Sequence, residues 1–402
     1  MKWRACLMAI SAIADDPRVR RQGDALRAAG WNVTAVGLLG ARSPEPSWPI
    51  ICVSPAPPER RLQRLAAHYK YAGASFLVAA RFSAAIAEMY HRQQPLPVAY
   101  YGAARNIAAD LYVANDWWTL PVAARLAAEH GGRYAYDSHE LSTAEYGQNA
   151  RWRYLFRPYV RKLERKHIRR AAVVSTVSEG IAKTLKTLHG LAQPIHVIRS
   201  LPKYEECRHR PTNAAAIKAL YHGLMVPDRG LEELIISVKA WRPEYSLALR
   251  GSGMPDYIAH LKALTESHSV SDRVSLLDPV NMVDLITAAS VFDIGVFAMP
   301  NLTLQSQFVL PNKLFEYIMA GLAICVTDLP EMAHIVRRHD LGALIAAASP
   351  AAIADAVNRL TPSLIDAYKK NSLTAARELC WEQESRHMLQ AYRTAVGDRI
   401  KG

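Results

Sequence analysis

The stretch Val309-Leu310-Pro311-Asn312-Lys313-Leu314-Phe315-Glu316-Tyr317-Ile318-Met319-Ala320-Gly321 constrains this chain more than any other. Pro311 suits the first position of a helix, where a backbone N–H has no partner in any case. Gly321 suits the residue just past the end. Between them Leu314, Phe315, Ile318 and Met319 carry helical apolar spacing. Ala323-Ile324-Cys325-Val326-Thr327 then reads as a short buried strand. A capped helix feeding a buried strand is a piece of an α/β domain. Lys313 falls in the first turn, where a cation opposes the helix dipole. A bound anion would compensate, because free N–H groups and a lysine together cradle phosphate. Glu316, one turn on, is placed to accept both hydroxyls of a ribose. The competing reading is a solvated Lys/Glu pair at i,i+3.

The chain has 402 residues, which predicts two domains. Half of them are hydrophobic, enough for two cores. Cys6, Cys52, Cys207, Cys325 and Cys380 are an odd number without paired spacing, which argues against a disulfide framework and against zinc. A reducing cytoplasm is the expected setting. The net charge of +13 predicts an anionic partner such as a nucleotide diphosphate, a lipid phosphate or nucleic acid. No run is long enough to span a bilayer.

The 309–321 stretch, followed by Asp328-Leu329-Pro330-Glu331, resembles the C-terminal donor-site signature of retaining family-4 glycosyltransferases, in its bacterial Leu-Pro-Asn-Lys-Leu-Phe-Glu-Tyr form. The resemblance implies an α/β fold of two Rossmann-like domains facing a cleft (GT-B), each a parallel sheet with helices on both faces. It covers nearly the whole chain, most strongly its second half. The expected division is 1–200 for an N-terminal acceptor-side domain, 201–375 for a C-terminal nucleotide-sugar domain, and 376–402 for a helix returning to the first.

Along the chain, Ala5 to Ala14 follows Lys2 and Arg4 and reads as a buried first strand, with a secretory leader as the alternative. Asp15-Asp16-Pro17-Arg18-Val19-Arg20-Arg21 opens a helix and resembles the family's start. The turn Ser11 to Asp16 has no glycine, where many relatives have a Gly-rich one. Residues 41–58 read as a proline- and serine-rich loop, 59–92 as helical and 93–110 as a connection with a helix. Leu111 to Ala114 reads as a strand, and Asp116 after it as the cap of the next helix. The family shows two histidines here, replaced by Val113 and Asn115. Tyr134 to Leu141 reads as a strand end and loop, where α/β sheets place ligands. The resemblance puts His139 near the transferred sugar and leaves Asp116 and Glu140 on the acceptor side. Ser178 reads as a helix N-cap and Leu201 to Pro211 as the interdomain linker.

Arg151 to Arg170 carries nine cations against Glu164, interleaved with Trp152, Tyr154, Phe156 and Tyr159. Such a helix can lie on an anionic membrane, or can simply turn its aromatics inward. Nucleic acid is not expected, since no recognition motif accompanies the charge.

In the second half, Leu220-Tyr221-His222-Gly223 and Leu249-Arg250-Gly251-Ser252-Gly253 resemble the strand-to-glycine turns beside the donor. With Asn312 and Glu316, the resemblance makes Gly223, Gly251 and Gly253 donor-binding. Leu224 stands where relatives carry a first phosphate-neutralising cation, and Arg229 keeps the second. The first of the family's two motif glutamates would fall on Phe308. Trp381 to Tyr392 resembles the family's terminal helix. The implied activity is transfer of a hexose from a nucleotide diphosphate-sugar to a saccharide or lipid-linked hydroxyl, in bacterial polysaccharide or glycolipid synthesis. His139, Arg229 and Lys313 would be its catalytic residues, without a cofactor or metal. A peripheral place on the inner face of the membrane goes with this reading. A nucleotide-sugar-binding protein that has lost transfer, or an epimerase on the same fold, are the alternatives.

Overall fold

The structure is a computed structural model and describes residues 2–41, 43–54, 82–145 and 149–397. The expectation of helix over 59–92 therefore lies partly outside the described residues. The chain divides into two units, 1–199 with 385–402, and 200–384.

In the first unit the strands are β1 (Arg4–Met8), β2 (Asn32–Leu38), β3 (Ile50–Val53), β4 (Leu111–Asn115), β5 (Arg133–Ser138), β6 (Val173–Thr176) and β7 (His196–Val197). They form one parallel sheet in the order β3-β2-β1-β4-β5-β6-β7. The order reverses between β1 and β4, so the loops after these strands flank a switch point. Local chemistry explains the elements. Asp16 caps the helix Pro17–Ala28 by accepting from the amides of Arg18 and Val19, and Pro17 fills its first position. Ser178 accepts from the Ile181 amide and caps Glu179–His189.

Two expectations change. The first strand stops at Met8, because the apolar residues after it turn into a short 3-10 segment, Ile13–Asp15, that buries Ile13 and Ala14. The loop expected over 41–58 contains β3, a four-residue edge strand pairing with β2 from Ala35↔Ile50 to Leu38↔Val53. Its proline-rich approach hides it, and Cys52 on it is exposed.

The second unit holds β8 (Ile217–His222), β9 (Tyr245–Arg250), β10 (Val274–Leu277), β11 (Ile294–Phe297), β12 (Ala323–Thr327) and β13 (Gly342–Ile345). They form a parallel sheet in the order β10-β9-β8-β11-β12-β13. β12 is buried along its whole length. Buried Lys369 reaches Asp293 at 2.9 Å, and the other oxygen of Asp293 accepts from the Lys218 amide. That ties the helix Pro362–Ala376 to the edge of β8 and β11. Among the described residues, no helix is long and apolar enough to cross a membrane.

Candidate functional site

The helix Asn312–Met319 starts beside the carboxyl ends of β8 and β11. Pro311 is its N-cap rather than its first helical residue, and its own side chain makes no capping bond. No side chain caps the first amides, and that of Leu314 donates to the Pro311 carbonyl at 3.1 Å. Lys313 folds its ammonium over two aromatic faces, 3.7 Å from the Tyr221 ring centre and 4.3 Å from that of Phe297. No ion pair satisfies it among the described residues. Burial, then the nearby Arg229, push its pKa well below the ordinary lysine value, and Glu316 acts in the opposite sense. Arg229 is half-buried and forms no ion pair among the described residues. Lys313 and Arg229 therefore repel one another, and only Lys313 lies over the aromatic rings among the described residues. Glu316 turns instead toward His222: Oε2 lies 2.9 Å from Nε2.

The glycines have a structural task. Gly251 has φ +153°, and a Cβ there would stand 1.9 Å from the Gly223 carbonyl oxygen. Gly253 pairs with Met225 as an isolated bridge. The turns after β8 and β9 thus press backbone on backbone. Gly223, at φ +128°, leaves room for the Lys313 ammonium, 3.1 Å from where its Cβ would be. Leu224, in the place of the expected first cation, is exposed. Phe308 ends the short helix Leu304–Gln307.

In the first unit, Asp116 and His139 come together at the ends of β4 and β5. Asp116 is not a helix cap. Thr119 takes the N-cap position of Leu120–His130, while Asp116 sits at φ +68°. Its Oδ2 lies 2.9 Å from His139 Nε2, and His139 Nδ1 lies 3.8 Å from Asp137 Oδ2. Burial alone would push the His139 pKa down. Asp116 and Asp137 outweigh it and raise it to about 10. Asp137 is itself fully held: Arg18 donates to both oxygens at 2.7 Å, and Gln22 and Ser175 add bonds at 2.6 and 2.7 Å. His139 is thus an imidazolium clamped by carboxylates, a cation and a hydrogen-bond donor rather than a base. Glu140 is exposed beside it. Burial, then Glu140 and Asp116, raise the carboxyl of nearby Glu145 to about 8.

Sequence reasoning passed over His222, Asp137, Arg18 and the aromatic pair under Lys313. The one available sign for His222 was its place between a strand and Gly223. Among the described residues, no group of three or more His, Cys, Asp or Glu side chains is arranged to hold a metal ion.

Two parallel α/β units in tandem define a protein of GT-B architecture. Residues 16–200 match the Glycosyl transferase 4-like domain and residues 216–362 the Glycosyl transferases group 1 domain. The chain belongs to the glycosyltransferases of GT-B type. Comparison with curated protein sequences returns no match. Among solved structures, sucrose-phosphate synthase from Thermosynechococcus elongatus is similar at 17% identity, over 98% of this chain and 99% of that one, with a TM-score of 0.74. HepE of Anabaena, solved in complex with UDP and glucose, is similar at 13% identity over 97% and 99%, with a TM-score of 0.70. A glycosyltransferase from Rickettsia africae is similar at 12% identity over 99% of both chains, with a TM-score of 0.67.

Proposed function

We propose that this chain is a retaining hexosyltransferase that takes its sugar from a nucleotide diphosphate. The observation that carries this is Lys313: a cation over the Tyr221 and Phe297 rings, with no ion-pair partner among the described residues, in the first turn of a helix that no side chain caps. Lys313, Arg229 and the first helix amides stabilise the leaving diphosphate as the glycosidic bond breaks. Glu316 holds the ribose, with Asn312 and the turns of Gly223, Gly251 and Gly253 alongside. The acceptor hydroxyl attacks the anomeric carbon from the face the diphosphate leaves, and a donor phosphate oxygen takes its proton. The imidazolium of His139 orients the transferred sugar, and Asp116 and Glu140 stand toward the acceptor. HepE has been solved with UDP-glucose, which makes uridine the first base to try.

The acceptor is read as a saccharide or lipid-linked hydroxyl, in bacterial polysaccharide or glycolipid synthesis. One surface supports a membrane-side place. Arg153, Arg157, Pro158, Arg161, Lys162 and Arg165 line a groove without a carboxylate, and Tyr154 beside it is exposed. Such a surface fits anionic headgroups on the inner face of a membrane. Cosedimentation with phosphatidylglycerol vesicles, but not with phosphatidylcholine vesicles, is expected, and equal binding to both would remove this part.

The activity is tested by incubating the protein with UDP-, GDP- and ADP-hexoses and an acceptor panel, and reading the new linkage by NMR. Retention of the donor's anomeric configuration is expected. Inversion refutes the mechanism. Donor binding without any turnover favours the binding-protein reading, and conversion of the sugar without acceptor favours an epimerase.

A further inference from the structure

Lys313 and Glu316 stand three residues apart on one helix, the spacing at which opposite charges pair. They form no ion pair. The Glu316 carboxylate is drawn to His222, 2.9 Å away, and makes no other hydrogen bond or ion pair among the described residues. His222 is 2% exposed, and neither ring nitrogen makes an aligned hydrogen bond. The Glu316 oxygen lies close to Nε2 but out of line with its N–H. The imidazole is fixed from elsewhere. Its backbone N–H donates to the Tyr317 hydroxyl at 2.9 Å, and its ring lies 4.7 Å from the Tyr317 ring at 32°. Tyr317 in turn packs over Gly295 on β11, where a Cβ would stand 2.3 Å from its ring.

We propose that His222 is a positioning residue that sequesters Glu316, holding it off Lys313 so that phosphate and ribose subsites stay separate. The inference rests on the donor-site reading above. Without His222, the Glu316 carboxylate is free to swing onto the ammonium and neutralise the anion site. With it, one carboxylate oxygen rests 2.9 Å from Nε2 and the other is left to the ribose hydroxyls. A buried imidazole without an aligned partner is otherwise a net cost to the fold.

The test is calorimetric titration of UDP into wild type, His222→Phe, Glu316→Gln and the double variant, with GDP or ADP in place of UDP if wild type prefers them. Phenylalanine keeps a ring against Tyr317 but cannot hold the carboxylate. His222→Phe is expected to bind about tenfold more weakly, the scale of one charge-assisted contact. Adding Glu316→Gln to it should restore part of that loss, because the released carboxylate that silences Lys313 is gone. Unchanged binding by His222→Phe, or a double variant weaker than either single one, overturns the proposal. His222→Asn, too short to reach Glu316, is read the same way if His222→Phe does not fold. A wild type that binds none of the three nucleotides refutes the donor site itself, whereas binding without rescue refutes only His222.

Discussion

The Lys313 ammonium lies 3.7 Å from the centre of the Tyr221 ring and reaches no carboxylate among the described residues. Cation–π contact offsets part of the lost hydration but does not neutralise the charge. The site therefore holds Lys313 at a depressed pKa until an anion arrives. A bound diphosphate raises that pKa, so binding draws a proton from solution. Once the phosphates are fully ionised, affinity is expected to fall as the pH rises through the pKa of the free site. Titrations above pH 8, where the phosphates no longer titrate, should show heats that depend on the ionisation enthalpy of the buffer. Lys313→Met should abolish that dependence along with most of the affinity.

His139 carries the opposite linkage. Its folded pKa is raised from the ordinary 6.5 to about 10, so its stabilisation is complete below 6.5 and is lost as the pH rises toward 10. Asp116→Asn removes the main support. A loss of about 1 kcal/mol at pH 7 is expected for a partly exposed pair of this kind. Stability followed by urea denaturation from pH 6 to 10 should then vary less in the variant than in wild type.

Arg18 and Asp137 form a buried ion pair in the first unit, 119 residues apart in sequence. Burial opposes the charged form of Asp137, but Arg18 and His139 hold its carboxyl well below the usual range. Arg18→Met leaves that carboxylate buried without its bidentate partner. The expected cost is about 3–5 kcal/mol, measured by chemical denaturation.

Gly251→Ala tests the two turns of the second unit. Its Cβ would collide with the Gly223 carbonyl, and φ +153° is strained for alanine. Separating the turns shifts Gly223 and the space it leaves for Lys313. Weaker nucleotide binding is expected together with a lower melting temperature, while Gly102→Ala, in a helix where the space is open, should leave binding unchanged and not lower the melting temperature.

Much of this molecule was legible in order. The helix before β12 and the Ser178 cap are set by neighbours in sequence, so local chemistry finds them. What escaped depends on distant partners. Asp116 looks like a cap because asparagine and aspartate before a helix usually are, and only the fold brings His139 to it from the next strand. The same holds for Arg18 with Asp137, and for His222 with Glu316, 94 positions on. β3 escaped for another reason: a short edge strand carries too few residues to show a period.

The central claim is a nucleotide-diphosphate site built on Lys313. Its most direct test is thermal shift of wild type and Lys313→Met with UDP, GDP, ADP and their hexose conjugates. Stabilisation of wild type by one nucleotide class, absent in Lys313→Met and reduced in Glu316→Ala, is the predicted result. Equal stabilisation of wild type and Lys313→Met, or none by any nucleotide, would contradict it.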